Sequence, residues 1–339
     1  MLYVTTRNKT DSFTAHKVLR DGFASDGGQF APLRLPVLSR EQVEEIMQKP
    51  FCEAVAEVLN LFFSVRLTGW DVEFAIGRRP VKMNQLGSKI IVAEFWNNPD
   101  HSMDYIAGRV YQLLCGEAQA ENKPVGWASV AIRIAFLFGT FAELKREGIE
   151  VADISVAGQD FESGISAWYA RKMGLPVSVI ICGTNENCSV WDLIHKGQVD
   201  TGAAVVTTNA PDMDQITPAG VERLIYEVLG LAETGCYLQK VNDKAVYHVP
   251  VDMREQLSWG LVSSVVGDKR IVDLISSAYQ TYQYLIDPYM AVCYGALQDY
   301  RSKCGENRMT LMLSEEAPVK YAKIIETATG LKQRDISIR

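Results

Sequence analysis

The chain is 339 residues long with 47% hydrophobic and 22% charged residues, proportions that exclude a disordered chain, a coiled coil or a small stapled scaffold. Its 34 basic against 41 acidic residues leave a net charge of −7 without a Lys/Arg cluster, so no nucleic-acid partner is expected. Seven cysteines lack any Cys-x-x-Cys pair, which favours reduced thiols over disulfides or zinc, and apolar runs such as 130–142 carry a charge or are too short to span a membrane; with no signal-peptide pattern, a cytoplasmic protein without membrane contact is expected.

In chain order, residues 12–22 read as a helix, Asp26-Gly27-Gly28 as a turn and 30–33 as a short strand. Ser39 is placed to cap a helix, because its hydroxyl can accept from the free amides of the first turn, and a second helix is expected over 51–63. From Lys89 strand-period and helix-period segments alternate: a strand over 90–95, helices over 104–118 and 127–147, a strand over 153–157 and a helix over 163–173 closed by Gly174 and Pro176. There follow a strand over 177–182, a helix over 189–195, a strand over 203–208 and a helix over 218–229. Residues 237–251 read as a hairpin around Asn242-Asp243, 262–285 as helical, 309–313 as a strand and 319–329 as the last helix. Such alternation predicts an α/β fold, a parallel sheet in an αβα arrangement, preceded by an amino-terminal segment over 1–88 and followed through 89–339. Ligands of such sheets bind at the carboxyl ends of the strands, which singles out the loops after Val156, Cys182 and Leu313.

Five collinear blocks carry a resemblance to a family: Tyr3-Val-Thr-Thr-Arg7 with Gly22-Phe-Ala-Ser-Asp-Gly-Gly-Gln-Phe-Ala-Pro32, then Ala170-Arg-Lys-Met-Gly-Leu-Pro176, Thr184-Asn-Glu-Asn187, Ile286-Asp-Pro288 with Ala291-Val292, and Ala317-Pro-Val-Lys-Tyr321. The chain resembles threonine synthase, a pyridoxal-phosphate enzyme of the tryptophan synthase β type (fold type II). The resemblance implies the three-layer sheet of that family and, in an intact member, conversion of phosphohomoserine to threonine with a lysine holding the cofactor as an imine.

The departures from the family pattern are concentrated on the cofactor. Glu94-Phe-Trp-Asn-Asn-Pro-Asp-His-Ser-Met-Asp-Tyr-Ile-Ala107 lies without a gap on the stretch E-L-F-H-G-P-T-x-x-F-K-D-x-A, keeping Glu94, Pro99 and Ala107 and placing Asp104 on the lysine, and a carboxylate has no amine for a Schiff base. Between Ala107 and Gly126 the family's small domain, with its substrate-gripping loop, is missing. The phosphate loop S-G-N-F-G corresponds to Gly158, Gln159, Asp160, Phe161 and Glu162, a degenerate cradle whose two acids would repel a phosphate. Glu315 replaces the hydroxyl that faces the pyridine nitrogen, and Tyr289 stands where the family has histidine after Asp-Pro.

These losses point to a pseudoenzyme with no catalytic residue and no cofactor, acting as a binding, regulatory or partner protein for a small amino-acid-like or cationic ligand, or in a homo- or hetero-oligomer. Two alternatives stay open. One is a divergent enzyme in which Asp104, Asp160, Glu162, Glu315 and Glu316, with His101 nearby, converge on an acidic pocket for an amine or a metal such as Mg²⁺ or Ca²⁺; on an open face the same acids would merely be solvated. The other is a genuine threonine synthase that binds pyridoxal phosphate through another lysine, Lys89 and Lys123 being the nearest. Cys188 at a helix start could carry a stabilised thiolate, though an idle thiol is the plainer reading, as it is for Cys182; His195 and His248 have no spaced metal or triad partners.

Overall fold

The computed structural model describes residues 1–96, 101–116 and 123–336. Pro99 and the end of the helix expected over 104–118 lie outside the described residues. The chain forms two compact units, Met1–Val81 with Met103–Val151 and Ile165–Pro176, and Lys82–Ser102 with Ala152–Gly164 and Val177–Arg339. A single break at residue 88 therefore does not describe it, because two helices from the middle of the chain pack with the amino-terminal elements.

Strand β1 (Leu2–Thr5) pairs antiparallel with β2 (Phe13–Thr14), which leads into helix α1 (Ala15–Asp21), and with β3 (Phe30–Pro32). Helix α2 (Arg40–Met47) starts in a reciprocal cap, Ser39 Oγ accepting from the Gln42 amide while the Gln42 side chain accepts from the Ser39 amide. Helices α3 (Phe51–Phe63) and α4 (Gly69–Ile76) follow, the second capped in the same way by Thr68 and Asp71. After β4 (Lys82–Leu86) and β5 (Ile90–Glu94) of the second unit come α5 (Met103–Cys115) and α6 (Trp127–Arg146) of the first. Helix α6 is apolar and long enough to cross a membrane, but it is a core helix: nearly all of it is buried, and the Trp127 ring is surrounded by Tyr3, Phe62 and Tyr169 at centroid distances of 6.1, 5.4 and 5.2 Å.

Strand β6 (Asp153–Ala157) and helix α7 (Glu162–Met173) are followed by β7 (Val179–Thr184), α8 (Ser189–Lys196), β8 (Gln198–Asp200), α9 (Ala219–Leu229) and α10 (Leu231–Asp243). The remainder is β9 (Val246–His248), α11 (Arg254–Ser258), β10 (Leu261–Val265), α12 (Asp268–Tyr282), α13 (Pro288–Cys304), β11 (Thr310–Ser314), α14 (Ala322–Thr329) and α15 (Gln333–Ile336). The six-stranded sheet of the second unit runs β10-β7-β6-β11-β5-β4, parallel throughout except for β4. Every residue of β5, β6 and β11 is buried; β5 accordingly reads as a continuous apolar run, whereas β6 and β11 also bury polar residues, Asp153, Ser155, Thr310 and Ser314.

Three expectations fail for identifiable reasons. Residues 203–208 are not a strand: the segment is largely exposed, and its Val206 amide and carbonyl are paired with the Asn187 side chain, each at 2.8 Å, instead of a ladder. The hairpin over 237–251 is instead α10 followed by β9, which pairs with β8; Thr234 and Tyr237 are buried at helical spacing. The helical stretch over 262–285 begins as strand β10, whose β-branched residues join the edge of the sheet beside β7, and turns helical only after Gly267. Helix α13 was not among the expected elements; it starts at Asp287-Pro288, a capping carboxylate followed by proline in the first turn.

Candidate functional site

In the first unit, Asp104 stands in the first turn of α5. Its Oδ1 accepts from Arg133 Nη2 at 2.8 Å and its Oδ2 lies 2.6 Å from Lys123 Nζ. Arg133 is the only charged residue in the apolar stretch 127–142, and its side chain is 7% exposed. A guanidinium this deep in a helix core requires an anion. Asp104 supplies it, and the lone charge in an apolar helix was the sequence signal for that partnership.

In the second unit, β6, β11 and β5 present their carboxyl ends side by side, Ser314 lying opposite Glu94. Beyond β6, the Gly158 amide donates to the Gly183 carbonyl at 2.6 Å, so it is committed to the backbone of the next strand. The Gln159 carbonyl accepts from Gln215 Nε2 at 3.0 Å. Asp160 turns toward α9: its Oδ1 accepts from the Ala219 amide at 2.8 Å and its carbonyl from the Gly220 amide at 3.1 Å, satisfying donors that the start of a helix leaves open. Phe161 adopts φ 58°, a left-handed conformation costly for an aromatic residue, and its ring is fully buried. Gly164 and Gly220 make room for it, since a Cβ on Gly164 would stand 2.4 Å from the ring and one on Gly220 2.9 Å from the Phe161 Cβ.

Glu162 opens α7, where a carboxylate is favoured by the helix dipole. The next residue, Ser163, donates its hydroxyl to Glu315 Oε1, which brings a second carboxylate to the first turn of the same helix. Glu316 forms a backbone bridge with Ser102 and an ion pair with Lys320. Asp287 caps α13, accepting from the Tyr289 and Met290 amides at 2.7 and 2.9 Å. Burial pushes its carboxyl up to about 7, against those two amides and with help from the charges of Glu316 and Glu315. Tyr289 donates to Asp212 Oδ2 at 2.8 Å and accepts from the Asp212 amide at 3.1 Å; its ring meets Tyr321 edge-on, and burial drives the phenol far upward.

The acidic metal pocket is not formed as expected. Each of the five acids has the surroundings just described, and among the described residues no three His, Cys, Asp or Glu side chains are placed to hold a metal ion. Lys89 precedes β5, at the amino end of a strand whose carboxyl end is Glu94, about 17 Å away at ~3.3 Å per residue. Burial, followed by the Asp192 charge, raises the Cys188 thiol, and burial raises Cys182 to about 12, so neither is an activated thiolate. His195 ends α8 with Nε2 2.8 Å from the Ser263 carbonyl, and His248 sits exposed on β9. Arg133, Ser163 and Asp287 are the site residues that motif reading passed over.

Residues 2–77 match the family model described as "Threonine synthase N terminus". Among curated proteins, threonine synthase of Pseudomonas aeruginosa is 28% identical over 211 residues, covering 60% of this chain and 43% of that protein; "Threonine synthase-like 2" of Mus musculus is 22% identical over 213 residues with the same two coverages. The matched part thus spans less than half the length of those relatives. Among solved structures, the pyridoxal-phosphate-bound threonine synthase from Brucella melitensis superposes with a TM-score of 0.83 at 17% identity, covering 100% of this chain and 95% of that one. The yeast threonine synthase gives 0.84 at 16% identity, covering 96% and 89%. The chain is threonine synthase-like in sequence, and its mostly parallel sheet has the fold of those enzymes.

Proposed function

We propose that this threonine synthase-like chain is a pseudoenzyme, a binding or regulatory protein without pyridoxal-phosphate chemistry. The observation that carries the reading is the environment of Asp104: the side chain on the family's lysine position is a carboxylate, and it is locked between Arg133 and Lys123. The phosphate loop agrees with it. A phosphate at the start of α7 would meet Glu162 and the Glu315 carboxylate held by Ser163, a repulsion of about 1 kcal/mol per pair in water and about 4 at an effective dielectric of 20. The residues present do not fit the cofactor. The missing small domain between 107 and 126 belongs to the same reading, as does a cytoplasmic setting, with which seven free cysteines are in keeping.

One observation favours the second reading, an active enzyme with a displaced lysine: the Lys123 amine reaches position 104, 2.6 Å from Asp104 Oδ2. Incubation of the full chain with pyridoxal phosphate, followed by borohydride reduction and peptide mass mapping, separates the two. A pseudoenzyme shows neither the imine absorbance nor a stoichiometric adduct. A single reduced adduct on Lys123 would overturn the proposal in favour of the enzyme.

A further inference from the structure

Between β4, the carboxyl end of β5 and the segment after α12, the second unit encloses a cavity of about 150 Å³. Its polar side is unusual. Glu94 is 2% exposed, yet its Oε2 lies 3.5 Å from Lys82 Nζ, longer than a hydrogen bond, while its Oε1 accepts from the Tyr284 hydroxyl. The Asn84 side chain is within reach of the Tyr284 hydroxyl, but its buried amide nitrogen makes no hydrogen bond of normal geometry. The opposite side is apolar, formed by Leu285, Pro318, Val319 and Ile336, and the Trp96 ring is fixed there by its indole N–H bond to Ser314 Oγ at 2.8 Å.

These groups define the occupant by charge. A lone anion would face the buried Glu94 carboxylate, and a lone cation would face Lys82 and the Asn84 donor. A buried carboxylate with one short donor and a distant cation, and a buried amide without a well-formed bond, are each incompletely satisfied until a ligand supplies the matching group. A zwitterion meets both demands. The geometry points to a binding site for a free α-amino acid with a compact apolar side chain: its ammonium on Glu94, its carboxylate on Asn84 Nδ2 and Lys82 Nζ, and its side chain against Trp96, Leu285 and Val319. The volume suits this class, since an apolar cavity of ~150 Å³ holds a molecule the size of benzene. The Tyr284 hydroxyl keeps its proton, because burial and the neighbouring Glu94 charge drive its pKa far above the ordinary phenol value, so it remains a donor that positions the carboxylate.

This site deepens the reading of a binding protein, and its test is separable from the cofactor test: an imine with pyridoxal phosphate would overturn the pseudoenzyme and leave the cavity intact. The experiment is isothermal titration of the full chain with L-valine and L-leucine, alongside isobutylamine and isobutyrate, which carry only one charged end each. Saturable one-site heat is expected with the amino acids, with affinity lower by about tenfold or more for either single-ended analogue and for Glu94→Gln. Val319→Phe, which fills the cavity without touching its polar side, abolishes the heat and decides the matter should Glu94→Gln fail to fold. No saturable heat at millimolar amino acid, or heat unchanged in Val319→Phe, would overturn the proposal.

Discussion

Placing lysine at position 104 tests the proposed reading most directly, because a simple return to the family pattern and the electrostatics around Asp104 predict opposite results. If position 104 were an idle remnant, Asp104→Lys would be harmless and would begin to restore cofactor attachment. The structure predicts a damaged protein. The substitution removes a charge-assisted bond of 2.8 Å to Arg133, worth about 1.5–3 kcal/mol when the cation is buried, and Arg133 is 7% exposed. The contact with Lys123 adds less than about 1 kcal/mol, since that amine is 69% exposed. A new ammonium ~4 Å from the guanidinium would be repelled by about 4 kcal/mol at an effective dielectric of 20. Position 104 is 34% exposed, so the lysine can swing toward water and escape more than half of that. The expected loss is therefore about 3–4 kcal/mol for Asp104→Lys and about 1–2 kcal/mol for Asp104→Asn, which keeps one polar contact. Urea denaturation followed by circular dichroism gives both numbers, and Arg133→Met completes a double-mutant cycle in which the lysine costs about 2 kcal/mol less. A penalty for Asp104→Lys below ~0.5 kcal/mol, or one unchanged by Arg133→Met, would refute the ion-pair argument.

Three further outcomes follow from individual residues. Gly164→Ala should lower stability by about 1–2 kcal/mol, because overpacking against the buried Phe161 ring outweighs the gain of ~1 kcal/mol in helix propensity; a stabilised variant in the same urea assay would show the ring free to move. Asp287 has a folded-state pKa of about 7 against ~3.9 when unfolded, so between these values the folded chain holds a proton that the unfolded chain has lost, and stability falls as pH rises through about 7. Asp287→Asn keeps the α13 cap and should flatten that decline, on the order of 4 kcal/mol; parallel pH profiles for the two proteins would contradict the assignment. Thiol titration of the native protein should modify Cys236 and Cys304 fast and leave Cys182 and Cys293 unreacted until denaturant is added, whereas early labelling of Cys182 would mean that the β7 core opens.

What the sequence determined by itself was local. Ser39 and Gln42 dictate the start of α2, the apolar spacing of Phe51 to Phe63 dictates α3, and the buried strand β5 announces itself as a β-branched run, because a cap or a period is set by residues within one turn of each other. The same is true of the proposed loss of the cofactor lysine: Asp104 falls on that position in one dimension when Glu94 and Ala107 are laid on the family pattern. Tertiary structure decided what the substitutions do. The partner of Asp104 lies 29 residues away on α6, and that of Glu315 lies 152 residues away on α7; Asp160, expected to face a ligand, caps a helix that begins at Ala219. No local pattern encodes those pairings. The acids that looked in sequence like one reversed pocket form no metal-holding group among the described residues, and Asp104, Asp160 and Glu315 are each hydrogen-bonded to a protein donor. The cavity at Glu94 had no sequence signature at all, because its walls come from five separate stretches of chain and its character from an amide and a carboxylate that only folding brings together.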